Sequence, residues 1–125
     1  MSTLRTYDAS SRVEEVEYAR SGRRPLYAPT EKASVLEVEN FPQLGRLTAL
    51  RFIEWILKNP GGVIALPTGK TPEHFIRWVQ LILKEWESPR VRALLEEYGV
   101  DPARRPDMRS LSFVQIDEFY PMNAA

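Results

Sequence analysis

The amino-acid sequence predicts an α/β fold with a parallel sheet, and three observations carry that expectation. Leu44, Leu47, Leu50, Ile53, Ile56 and Leu57 recur at helical spacing. Val63-Ile64-Ala65-Leu66 is a continuous apolar run of strand length, the pattern of a buried parallel strand. Leu111–Ile116 reads as another strand, separated from the first by further helical periodicity. Strand, helix and strand in this order imply a right-handed crossover between parallel strands.

Taken in order, residues 1–32 are polar and mostly aperiodic. Arg12-Val13-Glu14-Glu15-Val16-Glu17-Tyr18 fits roughly one or two helical turns, and Ser21-Gly22-Arg23-Arg24-Pro25 breaks it. This stretch reads as an extension whose composition is compatible with partial disorder, ahead of a domain portion at 33–125. Residues 33–38, Ala-Ser-Val-Leu-Glu-Val, read as a short strand. Asn40 then caps a helix with Pro42 in its first turn, and Asn59-Pro60-Gly61-Gly62 ends it. After the Val63–Leu66 strand comes the loop Pro67-Thr68-Gly69-Lys70-Thr71. A second helix follows, with Thr71 as cap and Pro72 at its first position, and Phe75, Val79, Ile82 and Trp86 along one face. Ser88-Pro89 opens a shorter helix through Val91, Leu94, Leu95 and Tyr98, closed by Gly99. Residues 100–109 form a Pro- and Arg-rich connection to the last strand, which delivers Asp117-Glu118-Phe119-Tyr120. Trp86 fits a core stripe, whereas Trp55 and Trp78 fall off the main stripes.

Composition narrows the function classes. A chain of 125 residues, 43% of them hydrophobic, fits one domain with a real core. Lys+Arg and Asp+Glu both number 17, so nothing global points to nucleic acid or an anionic membrane surface. The short basic pair Arg104-Arg105 reads as solvated. With no Cys there is no disulfide framework, thiolate nucleophile or thiolate metal site, and His74 is the only histidine. No apolar run is long enough to cross a bilayer and no signal core opens the chain, so a cytoplasmic location is the default. No cofactor and no metal is called for, and a homo-oligomer is open to the chain.

Two segments carry the chemistry. A loop from the carboxyl end of a parallel strand to a helix start is a natural anion site, because the first helical N–H groups lack internal partners and the dipole adds positive charge. Gly69 lets the main chain come close, Thr68 and Thr71 offer hydroxyls, and Lys70 offers a cation. Charge-assisted hydrogen bonds of about 1.5–3 kcal/mol each could hold a phosphate monoester. Thr71-Pro72 is equally a good helix start, and Gly69 equally a tight turn. Asp117 stands at the strand's carboxyl end, where open α/β sheets bind ligands. If the two strands are neighbours, that carboxylate and the loop share one crevice, and Asp117 can move protons on a substrate whose phosphate is held nearby. Glu118, one residue on, fits a structural hydrogen bond better than chemistry.

These residues resemble a known family. Leu66-Pro67-Thr68-Gly69-Lys70-Thr71-Pro72 is similar to the phosphate loop of the glucosamine-6-phosphate deaminase/isomerase family. Phe113-Val114-Gln115-Ile116-Asp117-Glu118-Phe119-Tyr120 resembles its second signature. The ordered pair covers about residues 62–122. The resemblance implies a Rossmann-like, three-layer α/β fold. It implies conversion of glucosamine 6-phosphate to fructose 6-phosphate and ammonia, with Asp117 as proton shuttle in the ring-opened sugar and residues 68–71 on the phosphate. The related 6-phosphogluconolactonases share the fold but usually carry a basic residue after Asp-Glu, where this chain has Phe119. Two features depart from the family. Lys70 stands where a small residue is usual, and the later Gly-rich motif with its ring-opening His is missing. His74 lies in the first turn of the loop helix and does not replace it. The expectation is an amino-terminal portion of such a domain, inactive alone.

Two rivals stand beside this reading. Gly69-Lys70-Thr71 resembles the end of a nucleotide-binding P-loop, but that loop's first Gly would fall at Ile64. A non-catalytic sugar-phosphate sensor or interaction remnant would keep Asp117 without turnover.

Overall fold

The computed structural model describes residues 7–21, 36–66 and 72–115. In chain order these form α1 (Arg12–Ser21), α2 (Phe41–Lys58), β1 (Val63–Leu66), α3 (Glu73–Lys84), α4 (Pro89–Glu97), a single 3₁₀ turn (Met108–Ser110) and β2 (Ser112–Gln115). β1 and β2 pair in parallel, with Val63 opposite Ser112 and Leu66 opposite Gln115. The architecture is mixed α/β with a parallel pair, as expected.

α2 is the spine. The Asn40 side chain accepts from the Gln43 N–H at 2.9 Å and Pro42 occupies the first turn, so the start is capped as the sequence indicates. Leu47, Leu50, Ile53 and Ile56 are buried, while Leu44, expected in the same stripe, is 41% exposed. The helix stops at Asn59, after which Gly61 takes a positive φ of 70°.

α3 lies across α2, and Ile82 and Trp86 are fully buried between them and α4. The Trp86 indole N–H donates to the Pro102 carbonyl at 2.8 Å, giving a buried ring both packing and a satisfied donor. Gly45, in the second turn of α2, costs about 1 kcal/mol of helix propensity relative to Ala. The compensation is proximity: a Cβ there would stand 2.6 Å from the His74 Cβ. Phe52 meets Phe75 edge to face at 5.3 Å. Trp78 packs partly buried against the core. Trp55 lies against the Tyr7 ring at 5.1 Å and over Gly62, where a Cβ would strike the indole.

α4 is capped by the Ser88 hydroxyl, which accepts from the Val91 N–H. It buries Val91 and Leu95, and the turn closes through Gly99 at φ 75° with the Val100 N–H bonded to the Leu95 carbonyl.

Three expectations are revised. Residues 36–38 carry no strand; Leu36 and Val38 instead pack against the core beside α2, and 33–35 lie outside the described residues. A strand requires a ladder partner, and among the described residues β1 pairs only with β2. β1 is not buried on both faces, since Val63 is 48% exposed and the strand alternates exposed and half-buried positions. Its neighbour behaves alike, with Phe113 and Val114 about half exposed, because two strands have too few covering elements to hide both faces.

The third revision concerns the polar stretch before residue 32. Its described part includes a ten-residue helix, α1, and places Val13 at 0% exposure in the core. Burying that side chain contributes about 1.5–3 kcal/mol. Among the described residues no helix is long and apolar enough to cross a membrane.

Candidate functional site at the carboxyl rim of the sheet

The parallel register fixes the site's frame. Leu66 and Gln115 are partners, so β1 and β2 finish side by side, and the segments that follow them leave from one rim. Thr68, Gly69, Lys70 and Thr71 on the first segment, and Asp117 and Glu118 on the second, all lie outside the described residues. The structure therefore describes the floor and walls of the rim, up to Leu66, from Pro72, and up to Gln115.

One wall is the start of α3. The helix begins at Glu73 with Pro72 as its cap residue, one position later than the Thr71 cap expected from the sequence. Pro72 has no hydroxyl or amide to cap with, and the Ile76 N–H bonded to its carbonyl at 2.9 Å is the first helical bond here. Helix geometry leaves the preceding N–H groups of the first turn without partners inside the helix. Glu73 adds a negative charge to this end, which suits the dipole but opposes an anion. Arg77 answers it at 2.7 Å, one turn on, leaving the pair locally neutral. His74 is half-buried in that same turn with its Cβ against Gly45.

Beneath the rim runs an apolar groove of roughly 830 Å³ between α2, β1 and the start of α3. Phe41, Leu44, Phe52, Trp55 and Phe75 line it together with all four residues of β1. Among the described residues Arg51 is its one charged lining residue, and that guanidinium is already held by Glu14 at 2.8 Å and by the Ala9 carbonyl at 2.8 Å. Among its described lining residues the groove offers mainly hydrophobic contact.

Two polar clusters escaped the sequence reading. Glu54, on α2, is 4% exposed and looks like a buried catalytic carboxylate. Its oxygens are fully employed: they accept from the Ser11 hydroxyl at 2.6 Å, the Arg12 N–H at 2.7 Å and the Val13 N–H at 3.2 Å. Glu54 thus caps α1 from another helix. The one signal in the sequence was an acid set directly after the core residue Ile53.

The second cluster surrounds Tyr98, a core ring at 1% exposure. Its hydroxyl donates to Glu17 at 3.0 Å and accepts from Arg20 at 3.0 Å and Arg46 at 3.5 Å. Burial, and then the Glu17 carboxylate, push the phenol above its usual 10.0. A polar pocket of about 210 Å³ opens beside it, walled by Glu37, Glu39 and Gln43. None of its lining comes from β1, β2 or α3, so it is separate in construction from the rim.

Among the described residues no group of three or more His, Asp or Glu side chains could hold a metal ion. No family model matches the chain, and neither does any curated protein or solved structure.

Proposed function

We propose that the chain carries the amino-terminal part of a sugar-phosphate site of the glucosamine-6-phosphate deaminase/isomerase kind, in a Rossmann-like three-layer fold. The observation that supports this reading is the in-step parallel pairing of β1 with β2, because it sends residues 67–71 and 116–120 out from neighbouring strand ends. In this reading Thr68, Gly69, Lys70 and Thr71 bind the phosphate with the first-turn N–H groups of α3. Asp117 moves a proton between adjacent carbons of the open-chain sugar, and Glu118 supports it. Holding the phosphate at a fixed distance from the carboxylate gives the geometry that intramolecular proton transfer needs. The substrate class is a hexosamine phosphate, and the location is the cytoplasm. Residues 1–125 alone bind the sugar phosphate without releasing ammonia, since the single histidine, His74, lies in the first turn of α3 and not in the later Gly-rich motif that carries the family's ring-opening histidine.

The test is titration of the isotope-labelled chain with glucosamine 6-phosphate, followed by backbone amide shifts and an ammonia assay. Saturable shifts confined to the amides of residues 66–75 and 115–120, with no ammonia, are expected. Saturation elsewhere, or none, overturns the site; ammonia release overturns the inactivity of the chain. Asp117→Asn should keep the binding, because the phosphate contacts are made by the other segment.

A further inference from the structure

We infer that Gly45 is a positioning residue for the rim: it sets how closely α2 lets the amino end of α3 approach, and so where that turn stands relative to the ends of β1 and β2. The inference rests on the sugar-phosphate reading above. An ideal Cβ at position 45 would lie 2.6 Å from the His74 Cβ, 2.7 Å from the His74 carbonyl carbon and 2.7 Å from the Phe75 nitrogen. Two of these three are main-chain atoms, so no rotamer change relieves the clash and one helix must move. Both belong to the first turn of α3, the segment that the proposed phosphate loop runs into.

Phe52 completes the seam two helical turns further along α2. It holds the Phe75 ring edge-on and lies 6.5 Å from Phe113 of β2 in a stacked arrangement. One face of α2 therefore registers both the start of α3 and the strand that ends before Asp117. Reactions that depend on a fixed separation lose about a hundredfold for a displacement of about 1 Å, and a phosphate held between the end of β1 and the first turn of α3 reads a shift between those two as weaker binding. A glycine kept only for stability would leave affinity unchanged well below the unfolding transition; a positioning glycine would not.

The experiment compares the unsubstituted chain, Gly45→Ala and Phe52→Leu in glucosamine 6-phosphate titrations by amide shift, at a temperature where each is folded. Gly45→Ala should bind about tenfold or more weakly, with its His74 and Phe75 amides displaced before ligand is added and those of α4 in place. Phe52→Leu, which loosens Phe75 without adding atoms, should bind roughly threefold more weakly. A folded Gly45→Ala chain with unchanged affinity overturns the positioning role while leaving the sugar-phosphate reading standing. If Gly45→Ala does not fold, unchanged affinity in Phe52→Leu overturns it instead. Absence of saturable binding in the unsubstituted chain overturns the sugar-phosphate reading, and the positioning role with it.

Discussion

On one side of α2, Arg51, Glu54, Lys58 and Asn59 grip the main chain of residues 8–13. On another, Phe41, Leu44 and Phe52 look onto a groove and a two-stranded sheet whose Val63, Phe113 and Val114 stay about half exposed. The first side is made of polar bonds to backbone groups. Asn59 both accepts from the Asp8 N–H at 2.7 Å and donates to its carbonyl at 2.9 Å, and Lys58 donates to the Ser10 carbonyl at 2.8 Å. Every long side chain there has a named partner, with Val13 as the apolar anchor. Among the described residues the second side is mainly apolar, and Arg51, which also lines the groove, is held by partners on the first side. The difference shows that order and closure are separate properties. A polar, weakly periodic segment becomes fixed when another helix supplies its hydrogen bonds, whereas a strongly apolar strand stays open when too few elements cover it.

The largest test of that contrast is Glu54→Ala. It leaves the local Ser11–Glu14 cap but takes the acceptor from the Arg12 and Val13 N–H groups and the Ser11 hydroxyl, so unfolding free energy should fall by about 3 kcal/mol. Denaturant unfolding and hydrogen exchange across α1 report it, and a change within about 0.5 kcal/mol would mean that the arm is held by packing alone. Glu54→Gln, keeping one acceptor oxygen, should lose about half as much. Asn59→Ala comes next, at about 2 kcal/mol, since it removes two bonds to Asp8 and one to the Trp55 carbonyl. Phe113→Ser, on the open side, should cost less than about 1 kcal/mol, because the ring is half exposed already. A loss as large as that of Glu54→Ala would erase the distinction between the two sides.

The smallest effect is read with pH. The folded state holds the Tyr98 proton more tightly than the unfolded chain does, so its contribution to stability is complete below pH 10.0 and lost as pH rises from there through the raised folded value. Tyrosinate absorbance should show one of the five tyrosines titrating late. Asp8 runs the other way. The Ser10 hydroxyl and N–H, with Lys58 nearby, hold its carboxyl below the usual 3.8, so it favours the folded arm above that pH and stops doing so as acid protonates it. The Asp8 and Ser10 amides should then lose protection against exchange in acid before α4 does.

Periodicity made α2, α3 and α4 legible, together with the two strands, because each carries its own core-facing pattern and its own start and stop residues. Ser88 and Asn40 cap as their positions suggest. α1 was legible only as a turn or two, since Val13 and Val16 are its only branched aliphatic side chains and, besides the local Ser11 cap, its first N–H groups are taken by Glu54, 42 and 41 residues away. Residues 36–38 have strand composition, but a strand needs a neighbour as well as a preference. At the rim, the order of elements announced adjacent parallel ends. The seam that locates α3 could not be read in the same way, because Gly45 inside a helical stripe signals a close approach without naming what approaches.

Asn59 has one consequence beyond its two neighbours. Its side chain clasps Asp8, and its own carbonyl accepts the Gly62 N–H at 3.0 Å, a residue before β1 begins. A single side chain and peptide unit thus tie the chain's leading arm to the strand that feeds the rim, making them one cooperative block. A fusion or truncation at the amino end is accordingly a perturbation of the sheet, and its effects belong in the strand's exchange rates as much as in the arm's.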